Sequence, residues 1–290
     1  MKKKELLDMP LGDRMKHYEG LCETKIDPSS HIIVRVDGHK FSSFSKGFKK
    51  PFDFILSEAM RLTSMDMLEE FNAVTAYVQS DEITLIIPTL VTTEKHKGTN
   101  KPLWKHGYSG RVQKMVSLIA GFTTMSFNKH LSNLVDEDIY GEYGNGTEEE
   151  RKYWDLLRNK KVGNAWFDCR IYGVQSDEEA FNSVMWRYRD CIKNSRSMHA
   201  QSYCSHKELH KLTGKEQSEY CLKKTGKDWN KISERYKSGI FIKKERYIKE
   251  AFNEQQDCVV KAERSRVISL TKEELGFSQE NVDFIMKAKI

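Results

Sequence analysis

Apolar and polar positions follow two rhythms along this chain. His31–Val36 (HIIVRV) is an apolar, β-branched run that stops at Asp37-Gly38, which predicts a buried strand ending in a turn. From about Phe52 to Asn72, residues Ile55, Ala59, Leu62, Met65 and Leu68 recur at spacings of three and four, which predicts a helix. VTAYVQ (Val74–Gln79) and ITLIIP (Ile83–Pro88) flank the polar break Ser80-Asp81-Glu82 and predict a hairpin. Arg111–His130 reads as a second helix, Ala165–Val174 as a strand and Glu178–Tyr203 as a long helix. The order strand, helix, strand, strand, helix, strand is that of the ferredoxin-like, split βαβ arrangement. The predicted class is therefore α+β, an antiparallel sheet with flanking helices.

The remaining segments carry weaker signals. Met1–Asp27 reads as a polar, helical lead-in and Lys95–Gly110 as a loop. Val135–Glu150 holds seven acids and no Lys or Arg, and reads as an exposed loop or insertion. Beyond Ser205 the pattern turns basic and mixed: Lys207–Lys224 looks helical, and Ile240–Ile248 and Cys258–Ile268 look like strands. This divides the chain into a catalytic part over residues 1–204 and a C-terminal helical and β extension over 205–290.

Composition narrows the function classes. Aromatics make up 11% of 290 residues, too many for a disordered chain. The net charge is +6, and Ser205–Glu250 alone carries 13 Lys and Arg against 7 Asp and Glu. One stretch thus holds an excess equal to that of the whole chain, which suits a polyanionic partner or a solvated basic face. Six cysteines without a CxxC pair suit a reduced, cytoplasmic protein. No run of 18 apolar residues occurs, so no membrane span is expected.

Two acidic clusters carry the chemistry. Asp37 ends the first strand, and Asp81 and Glu82 sit at the tip of the hairpin. In a split βαβ sheet these segments are neighbours, so Asp37 and Asp81 should lie side by side at one end of the sheet. Adjacent carboxylates repel unless a cation intervenes. Mg²⁺ takes oxygen ligands, and two such ions can clamp the attacking and leaving oxygens of a phosphoryl displacement. The Gly38 carbonyl is a plausible further ligand. The segment His39-Lys40-Phe41-Ser42 could cradle a triphosphate, with charge from Lys40 or Lys50. A Walker-type P-loop is absent. Each cluster alone is also ordinary turn chemistry; the pair in this order points to a site.

With these residues assembled, the chain resembles the tRNA-His guanylyltransferase superfamily, the 3′–5′ polymerases. The resemblance rests on Arg35-Val36-Asp37-Gly38-His39-Lys40-Phe41-Ser42-Ser43-Phe44, on Lys50-Pro51-x-Asp53, on Gln79-Ser80-Asp81-Glu82, and on Phe167-Asp168-Cys169-Arg170. It runs over roughly Met9 to Thr213. Asp190-Cys191-Ile192-Lys193-Asn194-Ser195 departs from the eukaryotic HINNLYN pattern and looks like the guanylyltransferase-like branch. The resemblance implies a polymerase-palm catalytic domain and template-dependent repair of the tRNA 5′ end, after activation of its 5′-phosphate with ATP. It implies that Asp37, Asp81 and the Gly38 carbonyl hold two Mg²⁺, with Glu82 beside them. It implies that residues 37–42 and Ser80 wrap a nucleoside triphosphate, ATP or GTP, that Asp53 contacts a purine base, and that Arg111 and Lys114 meet the incoming triphosphate. A homotetramer is implied in the same way.

His39 and Lys40 depart from the family pattern, in which Arg and a small residue are common. The rival readings are strict addition of one G to tRNA-His, a palm-domain nucleotide cyclase, and an RNA-binding protein with a retired site. Cys204, His206 and His210 suggest zinc only weakly, for lack of a clear fourth ligand. Trp104, Trp166, Trp186 and Trp229 read first as core or interface residues. Tyr220, Trp229 and Tyr236, interleaved in the basic stretch, are the better RNA candidates.

Overall fold

The computed structural model describes residues 7–89, 107–137, 146–253, 258–278 and 282–287. Among these residues six strands form one sheet: β1 His31–Gly38, β2 Thr75–Gln79, β3 Glu82–Ile87, β4 Phe167–Val174, β5 Ile240–Asn253 and β6 Cys258–Leu270. Their order is β4-β1-β3-β2-β5-β6, and every pairing is antiparallel. The first four strands in the order 4-1-3-2 are the expected ferredoxin-like core. The hairpin β2–β3 folds back so that β3 inserts beside β1, with Ile32 opposite Ile87 and Asp37 opposite Glu82.

Alternation along the strands builds two cores. One face sends Ile32, Val34, Val36, Ile83 and Leu85 against the helices α2, Phe54–Glu70, and α3, Val112–Asp136. The other face sends Ile33, Tyr77, Ile86 and Phe241 against α5, Asp177–Gln201, through Ala180, Phe181 and Val184. Each fully buried Ile or Phe here is worth about 2 kcal/mol of transfer free energy. The lead-in forms α1, Leu11–Leu21, which buries none of its residues.

The acidic stretch at 135–150 is a correction. It is not a loop throughout: α3 runs to Asp136, and α4 spans Glu148–Leu156. Glu148, Glu149 and Glu150 occupy the first turn of α4, where acids favour the helix dipole, and Thr147 and Glu150 close a capping box. Residues 138–145 lie outside the described residues, as does most of the loop expected at Lys95–Gly110. Lys207–Lys224 is broken into a turn, His206–Leu209, and α6, Gly214–Thr225, each opened by its own capping box.

The extension after residue 205 is continuous with the sheet. Ile240–Lys243 pair with Val78–Thr75 of β2, and Ile240 and Ile242 join the α2–α3 core. Beyond Lys243, β5 and β6 continue as a two-stranded ribbon. Among the described residues no helix is long and apolar enough to cross a membrane.

Candidate active site

Strand register brings the carboxylates together. Asp37 pairs with Glu82 of β3 on one side and with Asp168 of β4 on the other. Paired residues in antiparallel strands share a face, so these three acids form a row. The Gly38 N–H donates to the Asp81 carbonyl at 3.1 Å, which pins the β2–β3 turn beside the end of β1. That turn passes through Ser80 at φ 48°, a left-handed conformation.

The acids in this group differ in their partners. Glu82 is buried and accepts from Arg187 Nε at 2.6 Å and from Gln79 Nε2 at 3.1 Å. Asp168 meets Arg170 at 3.5 Å. Asp37 is held above the usual carboxylate range by burial and by the charges of Glu82 and Asp168. Burial pushes the Asp81 carboxyl up to about 6; a Ser80 hydrogen bond works against this, and Asp37 adds to it. A site that resists its own ionisation is one that a cation would relieve.

The donor set also fits Mg²⁺, because it offers oxygen alone. Among the described residues no group of three or more His, Cys, Asp or Glu makes a closed cage. Asp37 and Asp81 would therefore hold such an ion with backbone oxygen, water or phosphate completing its shell.

Next to these acids lies a cavity of about 600 Å³, within the range of small-molecule sites. Asp37, Ser80, Asp81 and Glu82 line it from the strand ends, and Phe41, Ser42, Lys49, Lys50 and Asp53 from the following turns. Gly38 is required where it stands: an added Cβ would lie 2.3 Å from the Phe41 ring. Phe41 in turn packs on Phe44, Phe127 and Phe167, which fixes the turn. The one-turn helix Phe41–Phe44 starts without a side-chain cap, so its first N–H groups can face an anion. His39 and Lys40 are exposed and lie outside the cavity wall.

Asp53 lines the cavity but is committed to holding the chain. It caps α2 by accepting from Leu56 N–H at 3.0 Å, and its other oxygen accepts from Lys49 N–H at 2.8 Å and the Tyr153 hydroxyl at 2.6 Å. Arg111 and Lys114 are not brought to this cavity. Arg111 precedes α3, bridges to Lys25 and pairs with Glu23, while Lys114 lies over Tyr108. Val112 N–H binds Thr24, and Ile26 packs at Gly173, which is opposite Ile32. That is the far end of β1, about 17 Å from Asp37 at roughly 3.3 Å per residue.

Several lining residues were not expected at this site, although Tyr236 was expected as an RNA contact and Asn194 stood in the branch motif. Arg187, Asn194 and Gln201 come from α5, and Arg235 and Tyr236 come from the basic extension. Tyr236 stacks on Phe52, with centroids 4.9 Å apart and planes 7° apart. Asp168, beside the cavity and not in its wall, had a usable signal, since a fourth antiparallel strand beside β1 puts an acid opposite Asp37. The weak zinc candidate Cys204 instead packs with Ala200, Leu209 and Cys221 in a small core.

Comparison with known proteins bears on this geometry. The family model of tRNAHis guanylyltransferase matches residues 12–175. An uncharacterized protein of Acanthamoeba polyphaga mimivirus is 31% identical over 243 residues, covering 83% of this chain and 79% of that protein. The tRNA(His) guanylyltransferase of Candida glabrata is 26% identical over 229 residues, covering 74% and 83%. A solved bacterial tRNA(His) guanylyltransferase-like protein in complex with ATP superposes with a TM-score of 0.65 at 30% identity, covering 81% of this chain and 87% of its own.

Proposed function

Because the chain belongs to the tRNAHis guanylyltransferase family and is a nucleotidyltransferase, we propose that it adds nucleotides in the 3′–5′ direction to the 5′ end of tRNA, copying a template. The observation that carries this reading is the meeting of Asp37 and Asp81 at the mouth of a nucleotide-sized cavity, both with raised carboxyl pKa. In this reading Asp37 and Asp81, with the Gly38 carbonyl, hold two Mg²⁺. Those ions, when bound, neutralise charge that builds on phosphate oxygens during the displacement.

The chain's own residues then position the substrates. Ser42, Ser80 and Lys50 lie where they can meet the phosphates of ATP or GTP. Asp53 holds the 49–53 turn so that Lys50 stays in the wall. Glu82, fixed by Arg187, is a positioning residue: it keeps the end of β3 registered with Asp37. The bacterial neighbour's complex with ATP supports a nucleoside triphosphate in this cavity. The net positive extension, whose Arg235 and Tyr236 reach the same cavity, supports an RNA substrate beside it.

The test is incubation of a 5′-truncated tRNA with ATP, all four NTPs and Mg²⁺, scored for growth at the 5′ end. Growth that follows the opposing base is the expected result. Addition of one G whatever base lies opposite would favour strict tRNA-His guanylylation. A cyclic nucleotide formed from NTP alone would overturn the reading.

A further inference from the structure

β4 is the edge strand of the sheet, and its outer face carries an unusual stripe. Phe167, Cys169 and Ile171 face the α2–α3 core, so Asp168, Arg170 and Tyr172 occupy the opposite face, with Trp166 one step before them. α5 covers the middle of that face and leaves this margin open. Trp166 is 68% exposed and Tyr172 37%. On the adjoining flank of α5, Trp186 is 53% exposed, with the guanidinium of Arg35 5.1 Å and that of Arg187 4.7 Å from its ring. Arg35 is opposite Arg170 in the register, one pleat from the Asp37–Asp168 pair. Two half-exposed tryptophans and two arginines thus border the acids on the side away from α2.

We infer that this margin, Trp186, Arg35, Arg170 and Trp166, is the surface along which the 5′-terminal nucleotides of the RNA lie. The inference rests on the nucleotidyl-transfer reading above. The cavity meets Asp37 on the β3 side, where Ser80, Asp81 and Glu82 line it and no residue of β4 does, so the RNA end must arrive from another side. The exposed route ends at Asp168, the register neighbour of Asp37. Its chemistry matches a frayed or single-stranded RNA end. Planar indoles stack bases without regard to sequence, and guanidiniums take phosphates in a fork. Among the described residues Arg170 makes one ion pair, at 3.5 Å to Asp168, and its side chain is half exposed, so it has donors to offer a phosphate. Exposed aromatics on the sheet face of a small α/β domain are a known way to bind single-stranded RNA.

The test measures three quantities on full-length Trp186→Leu, Trp166→Leu and Arg170→Gln: affinity for 5′-phosphorylated tRNA, affinity for ATP, and mass in solution. Each Trp substitution should weaken tRNA binding about tenfold. Arg170→Gln, at an exposed site that cannot threaten folding, should weaken it and lower the slope of log K against log salt by about one. ATP affinity and mass should stay as in the wild type. Unchanged tRNA affinity in Arg170→Gln and Trp186→Leu would overturn the inference. A fall in mass would overturn it as well, assigning the margin to a second copy of the chain. Failure of the catalytic reading looks different: the wild type would then not extend tRNA, whatever these variants bind.

Discussion

Half-buried carboxylates in the cavity wall and behind its Arg235 are treated in opposite ways. Glu58, one turn into α2, accepts from Arg61 and from Arg235, each at 2.5 Å. Burial opposes its ionisation, but the two guanidiniums outweigh it and hold the carboxyl below its usual range. Asp37 and Asp81 are packed with other acids, and their carboxyls rise. Arg170 and Arg35 pull the Asp37 carboxyl down, but burial and the neighbouring acids outweigh them. An acid with built-in cations is locked into the fold, because removing it strands those cations. Acids gathered without them cost stability, and they are retained where a ligand supplies the missing charge.

The strongest way to break this contrast is to remove Asp37. Asp37→Asn should lower 5′ extension of tRNA about a thousandfold or more. It should also abolish the rise in Tm that Mg²⁺ gives the wild type by binding the folded state. An Asp37→Asn protein that still gains stability from Mg²⁺ would show that the ions sit elsewhere. Glu58→Gln should act on the fold instead. It leaves Arg61 and Arg235 without their carboxylate, at a cost of about 3 kcal/mol, read as a lower urea midpoint. A loss below about 1 kcal/mol would make Glu58 no different from a surface acid.

The pH dependence sharpens the same contrast, because the two signs differ. The folded pKa of Asp81, about 6, lies above its unfolded value of 3.8. The folded state therefore holds this proton more tightly, and its contribution to stability falls as pH rises from about 4 to 6. Asp81→Asn should remove that slope and, without divalent ions, stabilise the protein at pH 7 by about 1–2 kcal/mol after allowance for water screening. Glu58 runs the other way: its contribution is present above its unfolded pKa of 4.5 and is lost as pH falls towards its lowered folded value. Urea midpoints of wild type and Asp81→Asn between pH 4 and 7 measure the first effect, and those of wild type and Glu58→Gln below about pH 4.5 the second. Parallel curves would refute the assignment for Asp81.

How much of this was readable in the sequence follows from how far each feature depends on local pattern. The strand ending in Asp37-Gly38 and the hairpin carrying Asp81 were legible, because period-two runs and their breaks are local. Their meeting was legible as well, because split βαβ order leaves one place for β3. The partner of Glu82 was not: Arg187 lies 105 residues away on a helix whose rotation over the sheet no local pattern sets. The Phe52–Tyr236 stack depends likewise on β5 docking against β2. The acids at 148–150 were misread because a charge run looks the same in a loop and in the first turn of a helix; the Thr147–Glu150 capping box decides it. Arg111 and Lys114 were grouped with Asp37 by resemblance, while strand length puts them at the other end of β1.

The smallest effect concerns a cation beside the acids. Lys40 sits at φ 54°, where a side chain costs about 1 kcal/mol and glycine costs little. Part of what Lys40→Gly relieves returns as extra freedom of the unfolded chain, so the expected gain is about 0.5 kcal/mol, read as a higher urea midpoint. Lys40 is exposed and outside the cavity wall, whereas Lys50 is in it. ATP affinity should therefore change less than twofold in Lys40→Gly and fall several-fold in Lys50→Gln. If Lys40→Gly instead loses ATP affinity as it gains stability, its strained backbone is holding a phosphate contact, and the missing cation beside Asp37 and Asp81 would be supplied in part by the chain itself.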